Sequence, residues 1–382
     1  MTAATQGHDM DALPIPLPLA AGITTRMVAN GNGLHMHVLE AGDPDAPMLL
    51  LLHGFPELAY SWRRVMLPLA AAGYRVVAPD QRGYGRTTGW SQGYDIPLAE
   101  FGPLNFVRDA VGLVHALGRT HVHAVIGHDF GSPVAAHAAL IRPDIFRAAV
   151  LMSAPFPGPP PHRADGAVGG LADPALPAAL AALPRPRQHY QWYYSTPAAA
   201  PEMLAEAPRF FRAYFHHKSA DWPGNTPHTL PGWNAESLAL LPTYYVMELG
   251  RSMSETVFEH MPSAAEIAAC EWFTEADVAV YAAEYLRSGI QGGLNSYRST
   301  TSGQTQRELR LFSGRTINVP SLFISGAADW GTYQRPGDVD RMAKQACTDM
   351  RGVHLVPGAG HWVMQEQPQA TLELLLPFLR GL

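Results

Sequence analysis

The chain predicts an α/β fold: a mostly parallel eight-stranded sheet flanked by helices, with a mainly helical segment inserted after the sixth strand. Three observations predict it. From Ile23 to Ser153, short apolar, β-branched runs alternate with longer helical patterns, as they do where helices cover a parallel sheet. The alternation stops near Ala154, where the chain turns Pro- and aromatic-rich, and it resumes after Ile317. Within VIGHDFGS (125–132), a strand gives way to a helix in very few residues.

In chain order, the strand candidates are Ile23–Ala29, His35–Glu40, Met48–His53, Tyr74–Pro79, Val122–Gly127 and Ala148–Ser153, followed much later by Ser321–Ser325 and Val353–Pro357. The clearest helical patterns between them are Asn105–Leu117, Pro133–Ile141 and Pro368–Leu379. From APFPGPPPHR to about Arg298 there is no convincing strand. One helix stands out there, TEADVAVYAAEYLRSG, with Thr274 as N-cap and Asp277 assisting at the third position. There is no internal repeat, and compositional bias is limited to Ala and Pro enrichment in Pro174–Pro186.

Composition narrows the function. A chain of 382 residues suits one large α/β domain with an insertion, or two domains, and 47% apolar residues can fill a substantial core. The formal net charge is −6 and the charges are dispersed, so no basic stripe exists to hold a nucleic-acid backbone. Cys270 and Cys347 are far apart and outside any CxxC pattern, which suits a reducing compartment. The N-terminal MTAATQGHDMDALPIPLPLAAG lacks a basic leader region, and no apolar run reaches the roughly 20 residues of a membrane span. A cytoplasmic protein is expected.

The segment GHDFG carries the first chemical signal. Gly127 and Gly131 lack Cβ atoms, so strand and helix can approach closely while Asp129 takes a strained backbone at the turn. This is the pattern of a nucleophile elbow, with Asp where Ser is common, and the helix N-terminus favours its ionised form. By itself GxDxG also fits a helix N-cap. An elbow requires an oxyanion hole, and HGFPE after a buried strand supplies the second loop. Phe55 and Phe130 would donate through their backbone N–H groups. HGFP alone would fit an ordinary Gly-Pro turn.

A base must follow, and the chain offers 17 histidines. His216 and His217 diverge on a helix, and His121 and His123 lack a third ligand, so no metal site is indicated. His128 points away from the face of its neighbour Asp129. His361 lies on a Gly-rich loop just beyond the last strand candidate and is favoured by position. Asp329 ends a strand in SLFISGAADWGTY and would orient it. The alternative location, after the strand ending near Ser153, holds no acid before Asp165. The order nucleophile, acid, histidine is the one this arrangement requires.

With these pieces assembled, the chain resembles the α/β-hydrolase-fold epoxide hydrolases from roughly Thr25 to Phe378. The resemblance rests on HGFPE (His53–Glu57), DQRGYGRT (Asp80–Thr87), GHDFG (Gly127–Gly131), GAADW (Gly326–Trp330) and GAGHW (Gly358–Trp362). Two further segments, YQWYY (Tyr190–Tyr194) and GGLNSYR (Gly292–Arg298), are similar to those carrying the family's ring-opening tyrosines, which would be Tyr190 and Tyr297. The resemblance implies a core of residues 1–155 and 306–382, a helical cap over 156–305, and hydrolysis of a small apolar epoxide to a vicinal diol without metal or cofactor. Asp129 would attack, Tyr190 and Tyr297 would assist ring opening, and His361 with Asp329 would activate water. Pro56 and Trp192, inside two of these motifs, are candidate substrate contacts, while Glu57 and Trp330 receive no role.

The sequence departs from the family where Phe130 replaces a common Trp, where Ser132 replaces a common Gly, and in a long cap stretch, 216–271. Its cap aromatics, among them Trp192, Tyr193, Tyr194, Phe210, Phe211, Trp222 and Trp233, read mostly as cap core. Rival readings are a haloalkane dehalogenase, which would want a side-chain donor at position 130, and a ligand-binding protein, which would not need the full residue set. A Ser esterase is disfavoured because Ser132 falls inside the helix.

Overall fold

The computed structural model describes residues 15–382. Residues 1–14, which include most of the N-terminal segment read above for a leader, lie outside the described residues. The strands are β1 (Thr24–Ala29), β2 (His35–Ala41), β3 (Met48–Leu52), β4 (Arg75–Pro79), β5 (Ala124–His128), β6 (Ala149–Met152), β7 (Arg187–His189), β8 (Val246–Glu248), β9 (Ser321–Gly326) and β10 (Met350–Val356). Eight of them form one sheet in the order β1-β2-β4-β3-β5-β6-β9-β10. β1 and β2 pair antiparallel, as do β2 and β4, and every other pair in this sheet is parallel. The expected α/β-hydrolase architecture is therefore the observed one.

Burial explains why the strands read as they do. Every residue of β3, β4, β5, β6 and β9 is buried, so both faces need apolar side chains and the runs lack alternation. Helices α1 (Arg63–Ala71), α2 (Pro103–Ala116) and α3 (Gly131–Ile141) cover the sheet. Helix α3 is the most enclosed: small residues on almost every face let it lie between β5 and β6 and against α2. It begins at Gly131, one or two residues before the Ser132–Pro133 start expected from sequence.

Between β6 and β9 the chain is mainly helical. The helix Glu275–Ser288 carries the expected Thr274 N-cap, and Asp277 closes a capping box with it. One expectation fails here. β7 and β8 form a two-stranded antiparallel pair in the stretch judged strand-free. Three residues per strand are too few to show a period of two, so local pattern could not reveal them. The aromatics form a continuous core, in which Phe215 stacks on Phe273 and on Trp362, each at 4.2 Å between ring centroids. Among the described residues, no helix is long and apolar enough to cross a membrane.

Candidate active site

The parallel strands end together at one edge of the sheet, where loops after β3, β5, β6, β9 and β10 converge. Asp129 follows β5 directly, and its φ of 48° lies in the left-handed region. The flanking glycines make that turn possible. A Cβ on Gly127 would stand 2.1 Å from the Gly131 carbonyl oxygen, and one on Gly131 would stand 2.2 Å from that of Leu52. Strand and helix therefore meet backbone to backbone, and the carboxylate is thrust toward the loops.

Phe55 N–H donates to Asp129 Oδ1 at 2.9 Å. Phe130 N–H makes no hydrogen bond to that carboxylate. His361 Nε2 stands 3.2 Å from Asp129 Oδ2, without hydrogen-bond geometry. On its other side His361 Nδ1 donates to Asp329 Oδ1 at 3.0 Å. Side-chain exposure separates the roles these groups can take: Asp129 retains 15%, whereas His361 and Asp329 retain 1% and 2%. The nucleophile candidate is the reachable member. Burial works to raise the Asp129 pKa, but His361, Lys218 and His128 outweigh it and hold the carboxyl well below its ordinary value. Asp329 follows the same logic: burial raises its pKa, and His361, Ser153 and the Gly331 N–H together lower it.

Tyr190 and Tyr297, more than a hundred residues apart, come together. Their ring centroids are 5.8 Å apart, and Tyr297 also packs edge-on to Phe55 at 5.4 Å and against Phe130 at 6.4 Å. The helix Gln291–Thr301 reaches this position because Gly292 lies on Gly83, where a Cβ would come within 2.3 Å of the Gly83 carbonyl oxygen. Gln191 Nε2 donates to Tyr190 Oη at 3.0 Å. Burial first, and the Asp129 charge second, push both phenols above their ordinary pKa.

Pro56 is buried and follows a cis peptide bond from Phe55. Trp192 is not brought to the carboxylate: its indole N–H donates to the Leu171 carbonyl at 3.0 Å, and its ring meets His189. Alternate residues of a short helix face apart, so the neighbour that does join the tyrosines is Tyr194, 5.1 Å from both Tyr190 and Tyr297.

Sequence reasoning missed several groups. Ser153, at φ 68° after β6, donates to Asp329 Oδ2 at 2.5 Å and lies 2.8 Å from His361 Nδ1. It occupies the location searched above for an acid, so a polar residue there was the available signal. Glu57 and His128 form a fully buried ion pair at 2.5 Å. Glu57 also accepts from Gly54 N–H, and His128 Nε2 donates to the His361 carbonyl, which braces the loop after β3 against the loop after β10. Two clefts of about 410 and 380 Å³ open elsewhere, the first beside Arg119, His121 and Arg147 at the opposite ends of the strands.

The His128 pair predicts a pH dependence. Burial alone would lower its pKa, but Glu57 prevails and the value rises from 6.5 to about 9. The contribution to stability is therefore complete below pH 6.5 and is lost as the pH climbs through 9, on the order of 3 kcal/mol. Denaturant unfolding at about pH 6.5 and 9.5 should show wild type losing more stability than His128→Gln. Equal losses would remove the imidazolium from the account.

Known proteins resemble this chain in sequence and in fold. Residues 47–368 match the family model of the alpha/beta hydrolase fold. Epoxide hydrolase A of Mycobacterium tuberculosis is 33% identical over 94% of this chain and 99% of its own length. The crystal structure of Epoxide Hydrolase A from Mycobacterium thermoresistibile aligns with a TM-score of 0.75 at 31% identity, covering 94% of this chain and 98% of that one. An epoxide hydrolase from an endophytic Streptomyces aligns at 0.74 with 30% identity, covering 95% and 96%. With the alpha/beta hydrolase fold matched over residues 47–368 and an epoxide hydrolase 33% identical over 94% of its length, the chain belongs to the epoxide hydrolase family of α/β-hydrolase-fold enzymes.

Proposed function

We propose that this enzyme hydrolyses a small apolar epoxide to a vicinal diol through an ester on Asp129, beneath a cap formed by residues 156–305. The observation that carries the reading is the meeting of one reachable carboxylate, a His–Asp pair and two phenols from separate helices.

An epoxide carbon is sp³, so it is displaced in line, and an ionised carboxylate needs no base to act as nucleophile. Asp129 Oδ2 forms a bond to the ring carbon while the C–O bond of the ring breaks. Its electrons go to the epoxide oxygen, which takes a proton from Tyr190 or Tyr297. The timing suits the electrostatics. The Asp129 charge contributes to the raised pKa of both phenols, and that contribution disappears as the charge moves to the alkoxide, a strong base.

The ester is then hydrolysed. His361 Nε2 takes a proton from water, whose oxygen attacks Asp129 Cγ. The electron pair moves to Oδ1, where Phe55 N–H already donates at 2.9 Å and Phe130 N–H would join it. Collapse breaks the bond between Cγ and the alkyl oxygen, the original Oδ2, which takes the proton back from His361 and leaves in the diol. The second proton of the water leaves the new Asp129 carboxyl and the phenolate formed in ring opening regains one, so carboxylate and phenol are both restored. Asp329 keeps the imidazole oriented and Ser153 holds Asp329.

Turnover in H₂¹⁸O tests this directly. The water oxygen remains on Asp129, so peptide mass spectrometry should find label in the segment containing 129. Unlabelled protein after many turnovers would reject the ester. A panel of aryl and aliphatic epoxides and haloalkanes, read by diol and halide release, identifies the preferred substrate.

A further inference from the structure

The helix Ala207–Lys218 ends on an ammonium that the fold encloses. Lys218 is 3% exposed. Its Nζ lies 4.9 Å from the ring centroid of Tyr245, 5.3 Å from Tyr214, 5.5 Å from Trp362 and 5.8 Å from Tyr244. Among the described residues, no side chain or carbonyl hydrogen-bonds this ammonium, and no carboxylate forms an ion pair with it. A cation at a helix C-terminus is ordinary where it is solvated. Inside an aromatic cage it loses most of its hydration, and an apolar side chain would fill the same space at lower cost.

The cage belongs to the reacting groups. Tyr245 packs against Tyr190 at 5.3 Å, Tyr194 donates a hydrogen bond to Tyr214 Oη at 3.1 Å, and Trp362 follows His361 in the chain. The backbone of Lys218 takes part as well, since its carbonyl accepts from His361 N–H at 2.9 Å. Of the carboxylates that act on the ammonium, Asp129 acts most strongly, then Asp329, then Glu57. These three anions face two cations, Lys218 and the imidazolium of His128. Alkylation of Asp129 removes one negative charge and balances the site. Attack of water on the ester then returns a negative charge to the same carboxyl.

We propose that Lys218 is an electrostatic positioning residue for the hydrolytic half-reaction, its caged ammonium stabilising the oxyanion that forms on Asp129. The inference rests on the ester mechanism above. A cation whose charge acts on Asp129 favours every state in which that carboxyl is charged, which are the free enzyme and the tetrahedral intermediate. It disfavours the neutral ester between them. Lys218 therefore slows ring opening, if it affects it at all, and speeds hydrolysis.

The experiment follows both steps by rapid quench and intact-protein mass, using the aryl or aliphatic epoxide that wild type turns over fastest. In Lys218→Met, hydrolysis of the ester should slow about tenfold or more while alkylation is unchanged or faster, so the ester accumulates. Lys218→Arg should restore most of the hydrolytic rate, and Lys218→Gln, a polar replacement, should behave as Met does. A hydrolysis-to-alkylation ratio lowered less than about fivefold in both Met and Gln variants overturns the proposal, as does an equal fall in both steps. The outcomes separate from failure of the ester mechanism. Absence of ¹⁸O from wild-type Asp129 removes that mechanism, whereas labelled wild type with an unchanged ratio in the variants removes Lys218 alone.

Discussion

Replacing His361 with Gln is expected to halt the enzyme after one event per molecule. In the proposed mechanism ring opening needs only the Asp129 carboxylate and the phenols, so the variant should still form the ester. Hydrolysis needs a base, and the imidazole that would supply it lies 3.2 Å from Asp129 Oδ2 with its other nitrogen bound to Asp329 at 3.0 Å. An amide has the size to fill the site and to hydrogen-bond Asp329, but no basicity near neutral pH. Steady-state turnover should fall by at least about 10⁴-fold, the scale seen when a base of this kind is removed. Intact mass should rise by the full mass of one epoxide, because ring opening adds every atom of the substrate. A variant that loses turnover without gaining mass would show that His361 acts before or during ring opening. One that keeps turning over would remove it from the reaction.

The joint variant Tyr190→Phe with Tyr297→Phe should fail at the other step. Both rings sit in an edge-to-face cluster with Tyr194 and Phe55, and Phe preserves those contacts. The loss to folding is one hydrogen bond from Gln191, about 1 kcal/mol. Without either hydroxyl the alkoxide would have to leave unprotonated. Alkylation should slow by roughly 10²- to 10⁴-fold, with each single variant affected less because the other phenol still donates. Placed in the His361→Gln background, the double variant should gain no ester mass on the time scale at which His361→Gln alone is fully labelled. Undiminished labelling would remove the tyrosines from ring opening.

The sheet and the core of the candidate site were legible for a common reason. Asp129, Asp329 and His361 each follow a strand, and a parallel sheet brings the C-terminal ends of its strands to one edge whatever the side chains are. The glycines at 127 and 131 were legible because their need is steric and local. Tyr190 and Tyr297 were visible only through resemblance, since nothing in YQWYY or GGLNSYR marks a ring whose partner lies on another helix. Tyr194 is the corrective case: it joins the two phenols, while Trp192, two residues earlier, turns to Leu171.

The residues that escaped share a different property. Glu57 and His128 are 71 positions apart and read separately as a loop acid and a strand histidine, yet they form one buried ion pair. Ser153 became meaningful only when β9 delivered Asp329 beside it. Lys218 drew no reading from the sequence, where nothing marks its ammonium as buried. From the sequence alone came the alternation of strands and helices, the sharp turn at Asp129, and the convergence of Asp129, Asp329 and His361 in that chain order. Those follow from periodicity and backbone sterics, which act over a few residues. The tertiary structure alone decided which charges are stripped of water and which face one another, because desolvation and Coulomb energy depend on distances between segments that the chain leaves far apart.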